Sequence, residues 1–134
     1  MKLTSPVLLL VLLVVAGCGG GSDDSFTKDY NEAVKPLSEL QTGGGTNAAQ
    51  FDKLADRTGE TRDNLADLDP PGDAQDEMDK LLSSMDSVTQ DLTGVADAIR
   101  SKDPVKQQDA AKQLVKSSAE VQQAETALKQ AVEG

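Results

Sequence analysis

From Ala74 to Ile99 the apolar residues recur without a fault. Ala74, Met78, Leu81, Met85, Val88, Leu92, Val95 and Ile99 are spaced 4, 3, 4, 3, 4, 3 and 4 apart. A strand repeats every second residue, whereas a helix brings positions three and four apart onto one face. The stretch therefore reads as a helix from about Asp73 to Arg100, with a seam of the heptad type that packs on other helices. Leu82, Ala96 and Ala98 widen the stripe. Asp73 stands where a cap is needed, Asp76, Glu77 and Asp79 lie near the positive end of the helix dipole, and Arg100 and Lys102 lie near its negative end. A helix with one apolar stripe has to bury it, so the rest of the chain must supply the cover.

Three further stretches have helical spacing. From Ser25 to Gln41, Phe26, Tyr30, Val34, Leu37 and Leu40 share a face, with Ser25 as cap and Tyr30 at the edge of the core. Pro36 lacks an amide donor and crowds the preceding turn, which predicts a kink or break near Glu32 to Lys35. Gly43, Gly44 and Gly45 end this helix. The phosphate-loop alternative fails because the run has no lysine after it and no strand before it. Thr46 or Asn47 caps the second helix, which reaches Leu68 on a seam of Phe51, Leu54, Thr58, Thr61, Leu65 and Leu68. Two threonines soften that seam, and Gly59 costs about 1 kcal/mol against alanine. Asp69-Pro70-Pro71-Gly72 then forces a turn. Asp103 as cap and Pro104 as first helical residue start the fourth helix. Its seam is Ala110/Ala111, Leu114, Ser117/Ser118, Val121, Ala124, Leu128 and Ala131/Val132. Asp76 with Lys80, and Glu125 with Lys129, are favourable i,i+4 surface pairs.

No strand pattern occurs. The expected fold is all-α, an antiparallel up-down four-helix bundle with a kinked first helix, or a three-helix bundle of the last three segments if the first stays apart. Composition pulls the other way. Residues 18–134 hold only ten Leu, seven Val, one Ile and two Phe, and the chain carries a net charge of −10. Such a balance is common in disordered chains, so periodicity carries the case for a fold.

The N-terminus has a different logic. Met1-Lys2 precedes an unbroken apolar run from Val7 to Ala16. A membrane-spanning helix needs about 20 residues, so the run is too short to span. A basic start, a short apolar core and small residues make a secretory signal. Val15-Ala16-Gly17-Cys18 resembles the lipobox of bacterial lipoproteins: an aliphatic residue, two small ones, then cysteine. The resemblance covers about Met1 to Ser22. It implies a diacylglycerol on the Cys18 thiol, cleavage between Gly17 and Cys18, and usually an acyl chain on the new amine. It also implies a bacterial cell-membrane location with the protein facing the extracytoplasmic side. Two or more chains anchor a protein stably, whereas one does so marginally. The domains are then a removed signal peptide at 1–17, the lipidated cysteine and a Gly/Ser tether at 18–24, and the helical domain at 25–134. Gly19 does not match the aspartate that serves some diderm lipoproteins as an inner-membrane retention signal.

Charge and residue types narrow the chemistry. Removing residues 1–17, which hold Lys2 and no acid, takes the net charge from −10 to −11. Nucleic acid and anionic head groups need basic patches and are disfavoured, so contact with the membrane falls to the lipid. There is no histidine and only one cysteine, which excludes Ser-His-Asp and Cys-His arrangements, a Cys/His zinc set and an internal disulfide. Met78 and Met85 read as core filler. No catalytic residue, cofactor or metal site is expected. Asp67, Asp69, Asp73, Asp76 and Glu77 around the Pro-Pro turn are the candidates for cation binding, set against solvated acids serving a helix N-terminus. The first expectation is a non-enzymatic protein-interaction or structural domain with an envelope partner. The alternative is a ligand- or cation-binding lipoprotein that uses an inter-helix pocket, sought along Phe51, Thr58, Thr61 and Leu65, or uses the acidic turn.

Overall fold

A computed structural model describes residues 24–40 and 47–133. The expected leader and tether, with Gly17 and Cys18, and the helix end expected at Gly43–Gly45 lie outside the described residues. The described residues are all-α. Helix α1 spans Asp24–Leu40, α2 Ala48–Ala66, α3 Gln75–Ser101 and α4 Pro104–Glu133, with one 3-10 turn at Gly72–Ala74. No strand occurs among them, and no helix is long and apolar enough to cross a membrane.

The faultless stripe is the centre of the core. Met78, Leu81, Met85, Val88, Leu92 and Val95 of α3 are buried, Leu81 completely, and Ile99 is half-buried. Ala96 and Ala98 broaden the buried face, while Leu82 packs at its edge. Helices α2 and α4 both pack on α3, and α1 packs on α2. Two ion pairs tie α2 to α3: Arg62 Nε lies 3.1 Å from Asp86 Oδ1, and Arg100 pairs with Asp52. Residue numbers rise along α2 as they fall along α3. Both pairs are exposed enough that they fix register more than stability.

The helix ends follow local chemistry. Asn47 caps α2, its side-chain oxygen accepting from Gln50 N at 3.0 Å. Asp103 caps α4 ahead of Pro104, with Oδ1 accepting from Val105 N at 2.9 Å and Lys106 N at 3.3 Å. Lys102 closes α3 in the left-handed region at φ 56°, its N–H reaching Ile99 O at 3.1 Å.

Several expectations need correction. The chain does not break near Glu32 to Lys35: helix α1 is continuous from Asp24 to Leu40 with Pro36 inside it, and Ala33 and Leu37 bury one side of it against the core. Ser25 lies within α1 and does not flank it. Asp73 does not cap α3. It sits in the 3-10 turn, where Gly72 takes φ +54° and Ala74 N donates to Pro71 O at 3.1 Å. Ala74 is thereby driven into full burial, and this small residue becomes the N-cap without a side-chain bond. Ala111 is exposed, whereas Ala110 is partly buried. In α2, Ala55 joins the buried seam along with Thr58, Thr61 and Leu65.

Polar side chains enter this core. Thr58 satisfies its hydroxyl on Leu54 O at 2.7 Å, and Ser117 on Leu114 O at 3.2 Å. Thr61 Oγ1 and Ser118 Oγ are buried without a hydrogen-bond partner among the described residues. Unpaired buried hydroxyls are costly, so the middle of the bundle is the weak part of its packing.

Candidate functional site

The α1–α2 pairing leaves α1 apart from the rest of the bundle. Among the described residues, no Cα of α1 comes within 8 Å of a Cα of α3 or α4. Between α1 and α4 lies a cleft of about 440 Å³. Phe26, Thr27 and Tyr30 form the α1 wall, and Glu125, Leu128 and Val132 are central to the α4 wall. Gln122, Thr126, Lys129 and Glu133 complete the α4 side. Spacing explains the arrangement. Phe26 and Tyr30 are one turn apart, as are Glu125 and Lys129, so each helix presents a short strip to the gap. The volume falls within the usual range for small-molecule pockets, roughly 300–1,000 Å³.

One polar contact crosses the cleft. The Tyr30 hydroxyl donates to Glu125 Oε1 at 3.3 Å. Burial pushes the Glu125 carboxyl above the usual carboxylate range, and the bond from Tyr30 partly opposes that shift. Burial likewise raises the Tyr30 phenol, reinforced by the Glu125 charge and by their hydrogen bond. At neutral pH the phenol is a neutral donor facing an acid that is disfavoured as an anion. The Phe26 and Tyr30 rings stand 6.3 Å apart, tilted by 42°, so both offer aromatic surface on the same helix.

Glu125 was expected to pair with Lys129 on the surface. Instead Lys129 Nζ lies 3.8 Å from Glu133 Oε1, and no cation pairs with Glu125 among the described residues. Likewise Lys80 bonds Glu77 at 2.9 Å in place of Asp76. The sequence held a signal for the first of these. Val121, Glu125, Leu128 and Val132 are spaced 4, 3 and 4 apart, so Glu125 occupies a seam position among apolar residues. Tyr30 is the tyrosine of that same face on α1.

The other candidates separate. Asp67, Asp69, Asp73 and Asp76 are exposed, and Glu77 is half-buried beside Lys80. No group of three His, Cys, Asp or Glu residues converges in a way that could hold a metal ion among the described residues. Asp76 and Glu77 lie in the first turn of α3, where their charge favours the helix dipole. The soft stripe of α2 does not line this cleft: Thr58, Thr61 and Leu65 are buried in the core, and Phe51 packs against it. Cys18 and Gly17 lie outside the described residues.

Comparison with protein-family models, curated proteins and solved structures finds no match to this chain.

Proposed function

We propose that this chain is a lipid-anchored, non-enzymatic binding domain of a bacterial envelope, with the α1–α4 cleft as its ligand site. The lipobox-like Val15-Ala16-Gly17-Cys18 supports the anchor, through acylation of Cys18 after loss of residues 1–17. The architecture is an antiparallel up-down four-helix bundle. Its short connections and the crossed pairing of Arg62 with Asp86 and Asp52 with Arg100 favour that reading.

The cleft carries the ligand-binding reading over a purely structural or protein-interaction role. It combines pocket-sized volume, aromatic and aliphatic walls, and one half-buried carboxyl. Its position suits an anchored protein. Phe26 is in the first turn of α1, five residues lie between Cys18 and Asp24, and an extended chain spans at most about 3.6 Å per residue. The mouth of the cleft would then lie within about 25 Å of the acylated cysteine. An apolar molecule leaving the bilayer would meet this end of the domain first.

The chain offers its own probe, since Tyr30 is its one tyrosine and it has no tryptophan. Titration with small apolar amphiphiles should change Tyr30 emission and raise the melting temperature. If a panel of neutral, anionic and cationic amphiphiles moved neither, the ligand-binding reading would be wrong. The anchor is tested separately: wild-type protein should incorporate labelled fatty acid, and Cys18→Ala should not.

A further inference from the structure

The charges and rings of the cleft restrict what it can hold. Phe26 and Tyr30 are two of the three aromatic side chains in the chain, the other being Phe51 on α2. They sit on the wall opposite Glu125, whose contact across the gap is a neutral phenol. On α4, Lys129 is turned to Glu133, so no cation of the lining answers Glu125 when it ionises. Aromatic faces attract cations through their quadrupole, and they do so with organic ammonium groups in particular. A half-buried carboxylate needs a counter-charge more than an exposed one does.

We propose that the α1–α4 cleft binds an organic ammonium group carried on an apolar body, with Glu125 as counter-ion and Phe26 and Tyr30 as its aromatic wall. This rests on the reading of the cleft as a ligand site. Three competitors fit less well. A bare divalent ion wants six to eight oxygen ligands, and this lining supplies two carboxylates, a few hydroxyls and one amide among apolar groups. A fatty-acid anion would set its carboxylate against Glu125. A neutral amphiphile would fill the volume and leave the carboxylate buried without a cation. An ammonium amphiphile meets the charge, the rings and the aliphatic surface of Leu128 and Val132 together.

The experiment compares octyltrimethylammonium, octanoate and octanol on the acylated protein in mild detergent and on the Cys18→Ala form without detergent. Binding is read by calorimetry and Tyr30 emission. Octyltrimethylammonium should bind about tenfold tighter than either of the others. Glu125→Gln keeps an oxygen acceptor for Tyr30 and removes the charge, and it should cut that preference by about tenfold. Glu120→Gln, the same charge change on an exposed position of α4 outside the cleft, should leave it within about twofold. Phe26→Leu keeps apolar volume without the ring and should weaken the cation several-fold while sparing octanol. Equal binding of octanol or octanoate, or equal losses in Glu125→Gln and Glu120→Gln, would overturn the ammonium proposal and leave the cleft reading standing. Silence from all three probes would overturn both.

Discussion

Helix α3 is closed on two sides, whereas α1 is closed on one. Along α3, Met78, Leu81, Met85, Val88 and Leu92 are all buried and touch a common core with α2 and α4. Along α1, Ala33 and Leu37 are buried, but Phe26, Tyr30 and Val34 are only partly covered. The difference begins with side-chain type. The α3 stripe is aliphatic and regularly spaced, so neighbouring helices can approach and interdigitate. The α1 face meets α4 through a phenol and a carboxylate, and those helices remain apart. A polar pair across a seam holds two helices in register without drawing them into full contact. The closed region supplies stability, and the open one supplies a cavity.

The largest expected effect tests the closed side. Leu81→Ala or Leu92→Ala should cost about 2–5 kcal/mol in denaturant unfolding, because each leaves a void in a fully covered seam. Leu37→Ala in α1 should cost less than either, since its surroundings have an open flank into which to relax. Equal losses at the three positions would erase the distinction between the two regions.

The helix caps come next. Asp103→Ala removes two hydrogen bonds from the start of α4 and should cost about 1 kcal/mol. Asn47→Ala should cost a similar amount at α2, where one such bond is lost. Chemical denaturation of both variants would show whether the α2 end, on the side of the molecule that carries α1, is as tightly coupled to the core as the α4 end.

Thr61→Val should have the opposite sign. It replaces a buried hydroxyl that has no partner among the described residues with a methyl of nearly the same shape, so the melting temperature should rise, by an amount equivalent to about 1 kcal/mol. A fall would mean that the hydroxyl has a partner in solution, such as an internal water.

The smallest effect is confined to the open side and shows up only against pH. Burial raises the folded-state pKa of Glu125, so the folded protein holds this proton more tightly than the unfolded chain does. The resulting stabilisation is complete below the unfolded value and is lost as pH rises through the raised folded value. Wild type should therefore lose stability relative to Glu125→Gln over that rise, measured as the difference between their melting curves. A constant difference across the acid range would place Glu125 in water, with the cleft open wider than its walls here suggest.

Much of the fold was legible because helices record their faces in spacing. The α3 stripe, the Asn47 and Asp103 caps, Pro104 at the start of α4 and the Pro-Pro turn all rest on interactions within a few residues of one another. The middle of α2 was legible as soft, since threonines in a seam announce themselves. Asp73 was misread because a carboxylate before a helix suits a cap, and only the backbone of the Gly72–Ala74 turn reveals that the cap position falls on Ala74. Glu125 was misread for a related reason. Four residues before a lysine it looks like half of a surface pair, and its place among Val121, Leu128 and Val132 gains meaning only when α1 lies opposite.

By itself, then, the sequence determined which stretches are helical, which faces are apolar and where the chain must turn, because those follow from local geometry and from water's exclusion of apolar surface. It also determined what chemistry is out of reach, since a chain without histidine has no imidazole to offer. Tertiary structure decided which seam closes and which stays open. Tyr30 and Glu125 are 95 positions apart, and only the packing of α1 on α2 beside α4 brings them to 3.3 Å across a cleft. Burial there, and not any feature of either residue's neighbours in sequence, is what raises the pKa of the Glu125 carboxyl in the cleft proposed as the binding site.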